Sequence, residues 1–147
     1  MSQYKNILTA VDLTPSAEDV IHKASILADV NDAQLTLIHA IDYIPYMGFG
    51  EGALITPTYT ISNEKLTENA KHTIETLLQK MHLEHLETII EFGSATNEVV
   101  SYANEHSTDL IVVGSHGRHG VKLLLGSTAN GVLHHAECDV LAVRIRE

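Results

Sequence analysis

Short apolar runs rich in β-branched residues alternate along this chain with longer stretches whose apolar residues recur at helical spacing. A strand that is apolar nearly throughout is buried on both faces, and such strands belong to parallel sheets covered above and below by helices. The runs fall at residues 4–11 (YKNILTAV), 33–41 (AQLTLIHAI), 87–92 (ETIIEF), 110–113 (LIVV, ending at Gly114) and 140–145 (VLAVRI). Between them, Thr14-Pro15 reads as a helix start, with Thr14 as cap and Pro15 in the first turn, followed by Val20, Ala24, Leu27 and Ala28 to about Asn31. Ser62 opens a second helix with an apolar stripe of Leu66, Ala70, Ile74, Leu77, Leu78 and Met81. Residues 96–106 and 126–136 supply the third and fourth helices. The expected fold is α/β: a three-layer, doubly wound, five-stranded parallel sheet, order 3-2-1-4-5, with helices on both faces. The 147 residues are one domain's worth of chain.

In strand order 3-2-1-4-5 the winding reverses between strands 1 and 4. Ligands of open α/β sheets bind at the carboxyl ends of strands at such a point. Two loops meet there: Asp12-Leu13-Thr14-Pro15 after strand 1, and residues 114–127 after strand 4. The second holds Gly114, Gly117, Gly120 and Gly126, and runs into a helix at Ser127. Glycines allow close backbone approach, and free N–H groups at a helix start can hold a phosphate. They can also serve only to turn the chain.

Charge singles out the same loop. The chain is acidic, with 9 Lys and Arg against 19 Asp and Glu, a net charge of −10. Yet residues 110–136 contain no Asp or Glu, and hold Arg118, Lys122 and four histidines. The acidic balance argues against a nucleic-acid partner. No apolar run reaches the ~18 residues of a membrane span, and the start lacks a secretory signal. The single cysteine, Cys138, forms no internal disulfide. These features point to a cytoplasmic chain.

Other motifs carry less. There is no GxxxxGK[ST] phosphate loop and no GxSxG nucleophile elbow. Gly48-x-Gly50-x-x-Ala53 matches a dinucleotide fingerprint in letters, but no strand feeds it and no helix follows it. It lies in a stretch of about twenty residues, 42–61, that carries four of the seven aromatics and reads as a lid, a contact surface or a mobile segment. His82-x-x-His85 and His116-x-x-His119 have ligand spacing, but no carboxylate or cysteine completes a metal site, so solvated histidines are expected. No catalytic residue is assigned.

Several segments, in order, resemble the universal stress protein family. They are NILTAVD (6–12), LIHAID (37–42), DLIVVGSHG (109–117), LLGSTA (124–129) and CDVLAV (138–143). The resemblance covers essentially the whole chain. It implies a small α/β domain with an adenine-nucleotide pocket, usually a homodimer, and a cytoplasmic role in stress survival. Nucleotide-binding members carry a G-x2-G-x9-G-[S/T] loop. By position, the resemblance places Gly114, Gly117, Gly126 and Ser127 at the phosphates, with Val113, His116, Arg118 and Thr128 beside them. Asp12, flanked by Ala10 and Val11, and the backbone near Ala40 would meet the nucleoside. ATP or AMP is the implied ligand, with Mg²⁺ entering only with bound nucleotide.

One departure matters: residues 118–125 form a spacer of eight, not nine. One residue shifts a helical turn by ~1.5 Å. The alternative is therefore a dimeric, stress-related interaction module that binds an unidentified protein and no nucleotide. Asp12 has two readings, a ligand contact or a partner for the first helix's N-terminus. Strand 5 would be a bare apolar sheet edge, so a homodimer through residues 139–145 is expected.

Overall fold

The computed structural model describes residues 3–42, 62–115 and 125–145. The elements, in chain order, are β1 (Asn6–Ala10), α1 (Ala17–Asn31), β2 (Gln34–Ile41), α2 (Asn63–Lys80), β3 (Glu87–Phe92), α3 (Ala95–Glu105), β4 (Leu110–Gly114), α4 (Ser127–His135) and β5 (Asp139–Val143). The strands form one parallel sheet in the expected order, β3-β2-β1-β4-β5. The fingerprint-like 48–53 segment and the rest of the aromatic-rich stretch lie outside the described residues, as do residues 116–124.

Alternation along the strands sorts the core into two layers. On one face Ile7, Leu35, Leu37 and Val112 pack against Val20, Ile21 and Ala24 of α1 and Ile74 and Leu78 of α2. On the other, Leu8, Ile38, Ile111 and Val113 pack against Val99 and Ala103 of α3 and Ala129 and Val132 of α4. The central strands β1 and β4 are buried along their length, whereas β3 and β5, at the edges, are mostly half-buried. At its amino end β1 is held by one carboxylate: Asp109 accepts from Lys5 N–H at 2.8 Å and Asn6 N–H at 3.1 Å.

Helix starts follow their caps. Ser62 accepts from Lys65 N–H and Ser94 from Asn97 N–H, each at 3.2 Å. The first helix departs from expectation. It begins at Ala17, not at Thr14-Pro15, and Ser16 stands at its N-cap without a side-chain cap bond. Thr14 is instead bound into a turn, because its N–H and Oγ1 both bond Asp12 Oδ1. The last strand ends early, at Val143, because Ile145 N–H turns to donate to Ser115 Oγ at 3.1 Å.

Helices α3 and α4 pack closely at Gly131. A Cβ there would stand 2.5 Å from Thr96 Oγ1 and 2.8 Å from its Cγ2. Threonine is stiff at χ1 and cannot swing clear without repacking. We expect Gly131→Ala to destabilise the protein by about 1 kcal/mol, since overpacking of ~1–3 kcal/mol outweighs a helix-propensity gain of ~1 kcal/mol. Adding Thr96→Ala should restore the thermal midpoint, as read by circular dichroism.

Cys138 packs against the α3–α4 layer. Burial first, then the nearby Asp139 and Asp109, push its thiol above the ordinary 9.0. The thiolate fraction is therefore small at neutral pH. Labelling by a disulfide reagent should be slow in the folded protein at pH 7, rise steeply only above pH 9, and accelerate at pH 7 on unfolding.

Candidate functional site

The site is assembled where β1 and β4 lie side by side and their chains leave for opposite faces. After β1 the chain turns to α1; after β4 it leads to α4. Asp12 is half-buried just beyond β1. Its Oδ1 accepts from Thr14 N–H at 3.1 Å and from Thr14 Oγ1, and Thr14 Oγ1 lies 2.7 Å from Ser16 Oγ. This side-chain turn fixes the carboxylate's orientation. Among the described residues no hydrogen bond engages Oδ2. Beside it, Asp12, Leu13, Thr14 and Pro15 with Leu37, Thr73 and Leu77 line a cleft of about 250 Å³. A larger cleft, about 530 Å³, lies between α2 and β3, away from the switch point, and is lined by Ile74, Leu78, Leu86 and Ile90.

The β1–β2 ladder ends at the same place. Val11 N–H donates to the Ile38 carbonyl at 3.0 Å, so Ile38 presents its peptide groups to β1. Gly93 N–H donates to the Ile41 carbonyl at 3.0 Å, so Ile41 presents its own to β3. Peptide groups alternate in direction along a strand. Ala40 therefore turns both its N–H and its C=O toward β1, at the height where β1 has ended. The Val11 carbonyl is met by a side chain instead: His39 Nδ1 lies 2.9 Å from it.

On the β4 side, Ser115 is the fixed point. Its N–H donates to the Val143 carbonyl at 2.8 Å, its carbonyl accepts from Gly126 N–H at 2.6 Å, and its Oγ holds Ile145. The Ser115–Gly126 bond draws the amino end of α4 to the carboxyl end of β4. Gly126 is the N-cap of α4 and offers no side chain to its first turn, which carries no acid. The first N–H groups of that helix, at Ser127 and Thr128, have no partner within it, and the positive end of its dipole is not offset by a carboxylate.

The expected site residues thus fall into four sets. Val11, Asp12 and Ala40 are brought together at the ends of β1 and β2. Gly114, Gly126, Ser127 and Thr128 are gathered at the β4–α4 junction. His116, Gly117 and Arg118 lie outside the described residues. Ala10 packs against the α3–α4 layer and Val113 is buried within it. Both side chains are engaged in packing. Two residues were missed in the sequence, His39 and Ser115. Both sit inside the segments that carry the family resemblance, but only the folded contacts reveal their bonds. Among the described residues no group of three or more His, Cys, Asp or Glu is placed to hold a metal, and no helix is long and apolar enough to cross a membrane.

Comparison with known proteins agrees with this architecture. The model of the universal stress protein family matches residues 3–144. Universal stress protein A homolog 2 of Coxiella burnetii is 40% identical over 147 residues, covering 99% of both chains. Among solved structures, universal stress protein UspA from Lactobacillus plantarum superposes with a TM-score of 0.72 at 28% identity, over 99% of this chain and 100% of its own. A universal stress protein in complex with cAMP has the same fold, with a TM-score of 0.64 at 20% identity over 95% and 96% of the two chains. With the family's pattern running almost from end to end and a relative 40% identical over nearly the whole of both chains, this chain belongs to the universal stress protein family.

Proposed function

We propose that this protein is a cytoplasmic homodimer that binds an adenine nucleotide, ATP or AMP, as a regulatory ligand in the stress response. The observation that carries the reading is the Ala40 peptide, turned toward the end of β1 above Asp12. A backbone N–H beside a C=O complements the edge of adenine, where a ring-nitrogen acceptor adjoins an amino donor. Asp12 Oδ2 is oriented to accept from a ribose hydroxyl. The α4 N-terminus, with Gly114, Gly126, Ser127 and Thr128, supplies amides and a favourable field for phosphate, and His116, Gly117 and Arg118 complete the loop. Mg²⁺ enters only with bound nucleotide, as a partner of its phosphates. The fold carries an adenine nucleotide in the neighbour solved with cAMP.

No nucleophile or general base is assigned; the nucleotide is read as a regulatory ligand, with weak hydrolysis at most. Calorimetry of ATP, ADP and AMP against nucleotide-stripped protein should show saturable binding, weakened at least tenfold by Gly117→Val. Silence at millimolar ligand would leave the eight-residue spacer as the deciding feature and favour the interaction-module reading.

The edge of β5 supports the dimer. Ser115 N–H bonds the Val143 carbonyl, so Val143 faces β4, and by alternation Val140 and Ala142 direct their peptide groups outward. An apolar edge with free peptide groups is a template for a second strand. A second copy of β5 would cover it by a two-fold axis. Sedimentation equilibrium at micromolar concentration should give twice 16.1 kDa. Val140→Pro removes an outward N–H without touching the β4–β5 ladder, and should shift the mass toward the monomer while the circular dichroism spectrum is retained.

A further inference from the structure

In a parallel pair, a strand residue that donates to its neighbour also accepts from it, two residues further on. Val11 N–H donates to the Ile38 carbonyl, so the rung that follows would run from Ala40 N–H to the Val11 carbonyl. The structure has no such bond. The oxygen is taken by His39, whose Nδ1 lies 2.9 Å away. A carbonyl oxygen can only accept, so Nδ1 carries the proton, and in the neutral ring Nε2 is bare. The side chain of one residue thus replaces the backbone of the next, at the last rung before the two strands part.

We propose that His39 is a positioning residue for the nucleotide site: by donating Nδ1–H to the Val11 carbonyl it keeps the Ala40 peptide out of the β1–β2 ladder and presents it to the base. The inference rests on the nucleotide reading given above. It has a structural consequence of its own, however. Without the imidazole, the Val11 carbonyl is left with an unmet acceptor in a half-buried position, and the peptide donor that the ladder's register sets against it is Ala40 N–H. The ladder would then close by one rung, and the donor meant for a ligand would be spent within the sheet. His39 also bonds the peptide that precedes Asp12, so the same contact fixes where the carboxylate turn begins.

The test compares the full chain with His39→Leu, which removes the donor, and His39→Asn, whose side-chain amide can place an N–H near the Nδ1 position. Amide hydrogen exchange followed by NMR reads Ala40 directly, calorimetry reads ATP affinity, and thermal melts report folding. In His39→Leu the Ala40 amide should become at least tenfold better protected and ATP affinity should fall at least tenfold. In His39→Asn both should return to within about threefold of the unsubstituted protein. The imidazole ¹⁵N shifts of the unsubstituted protein should report a protonated Nδ1, and a bare Nδ1 would overturn the inference whatever the variants do. In a chain that binds ATP, a His39→Leu variant with unchanged Ala40 exchange, or with unchanged affinity, would overturn it as well. Absence of ATP binding by the unsubstituted protein would defeat the nucleotide reading, and the exchange of Ala40 in His39→Leu would still decide whether His39 holds the ladder open.

Discussion

Parallel strands cannot be joined by a tight turn, and everything in this molecule follows from that restriction. Each connection must cross a face of the sheet, so helices cover both faces and the central strands β1 and β4 are apolar on both sides, while β3 at the edge carries the exposed Glu87 and Glu91. The two central strands, β1 and β4, are neighbours in space but far apart in sequence, and their following chains depart to opposite faces. A gap between those departures is unavoidable. It opens at the carboxyl ends of the strands, where peptide groups run out of partners. The site therefore needs no added device to exist; it is the seam left by winding one chain both ways.

What specialises the seam is a set of side chains that settle backbone groups in advance. Asp12 closes its own turn through Thr14, Ser115 ties β4, β5 and the start of α4 together, and His39 takes the carbonyl of Val11. Each fixes a backbone segment that would otherwise be free to move at the ends of the strands. The surrounding charge agrees with the geometry: a strongly acidic chain leaves the first turn of α4 without a carboxylate.

Much of this was legible in the sequence because burial imposes composition. The apolar runs locate all five strands, and the 87–92 run coincides with β3 residue for residue. Ser62 stands at the N-cap of α2, as a short oxygen side chain before an amphipathic run suggests, while α3 starts at Ala95, one residue ahead of the expected Thr96, behind a cap, Ser94, that the periodicity does not mark. Two larger displacements share one cause. Thr14-Pro15 has the letters of a helix start, but Asp12 engages Thr14 first and postpones α1 to Ala17. Residues 144–145 continue the apolar pattern of β5, but Ser115 Oγ diverts the Ile145 amide. In both cases a polar side chain competes for a backbone group, and its partner is set by geometry that periodicity does not encode. His39 is the same phenomenon at the site itself. A histidine in an apolar strand gives no sign of which neighbouring carbonyl its ring will meet.

The 2.6 Å bond from Gly126 N–H to the Ser115 carbonyl has an implication for how such proteins diversify. It joins the two ends of the intervening excursion, residues 116–125, so the seat of α4 is tied directly to the end of β4. Lengthening or trimming the excursion changes closure entropy only logarithmically, by ~0.6 kcal/mol per doubling. The length and composition of that segment can then vary without disturbing the scaffold beneath.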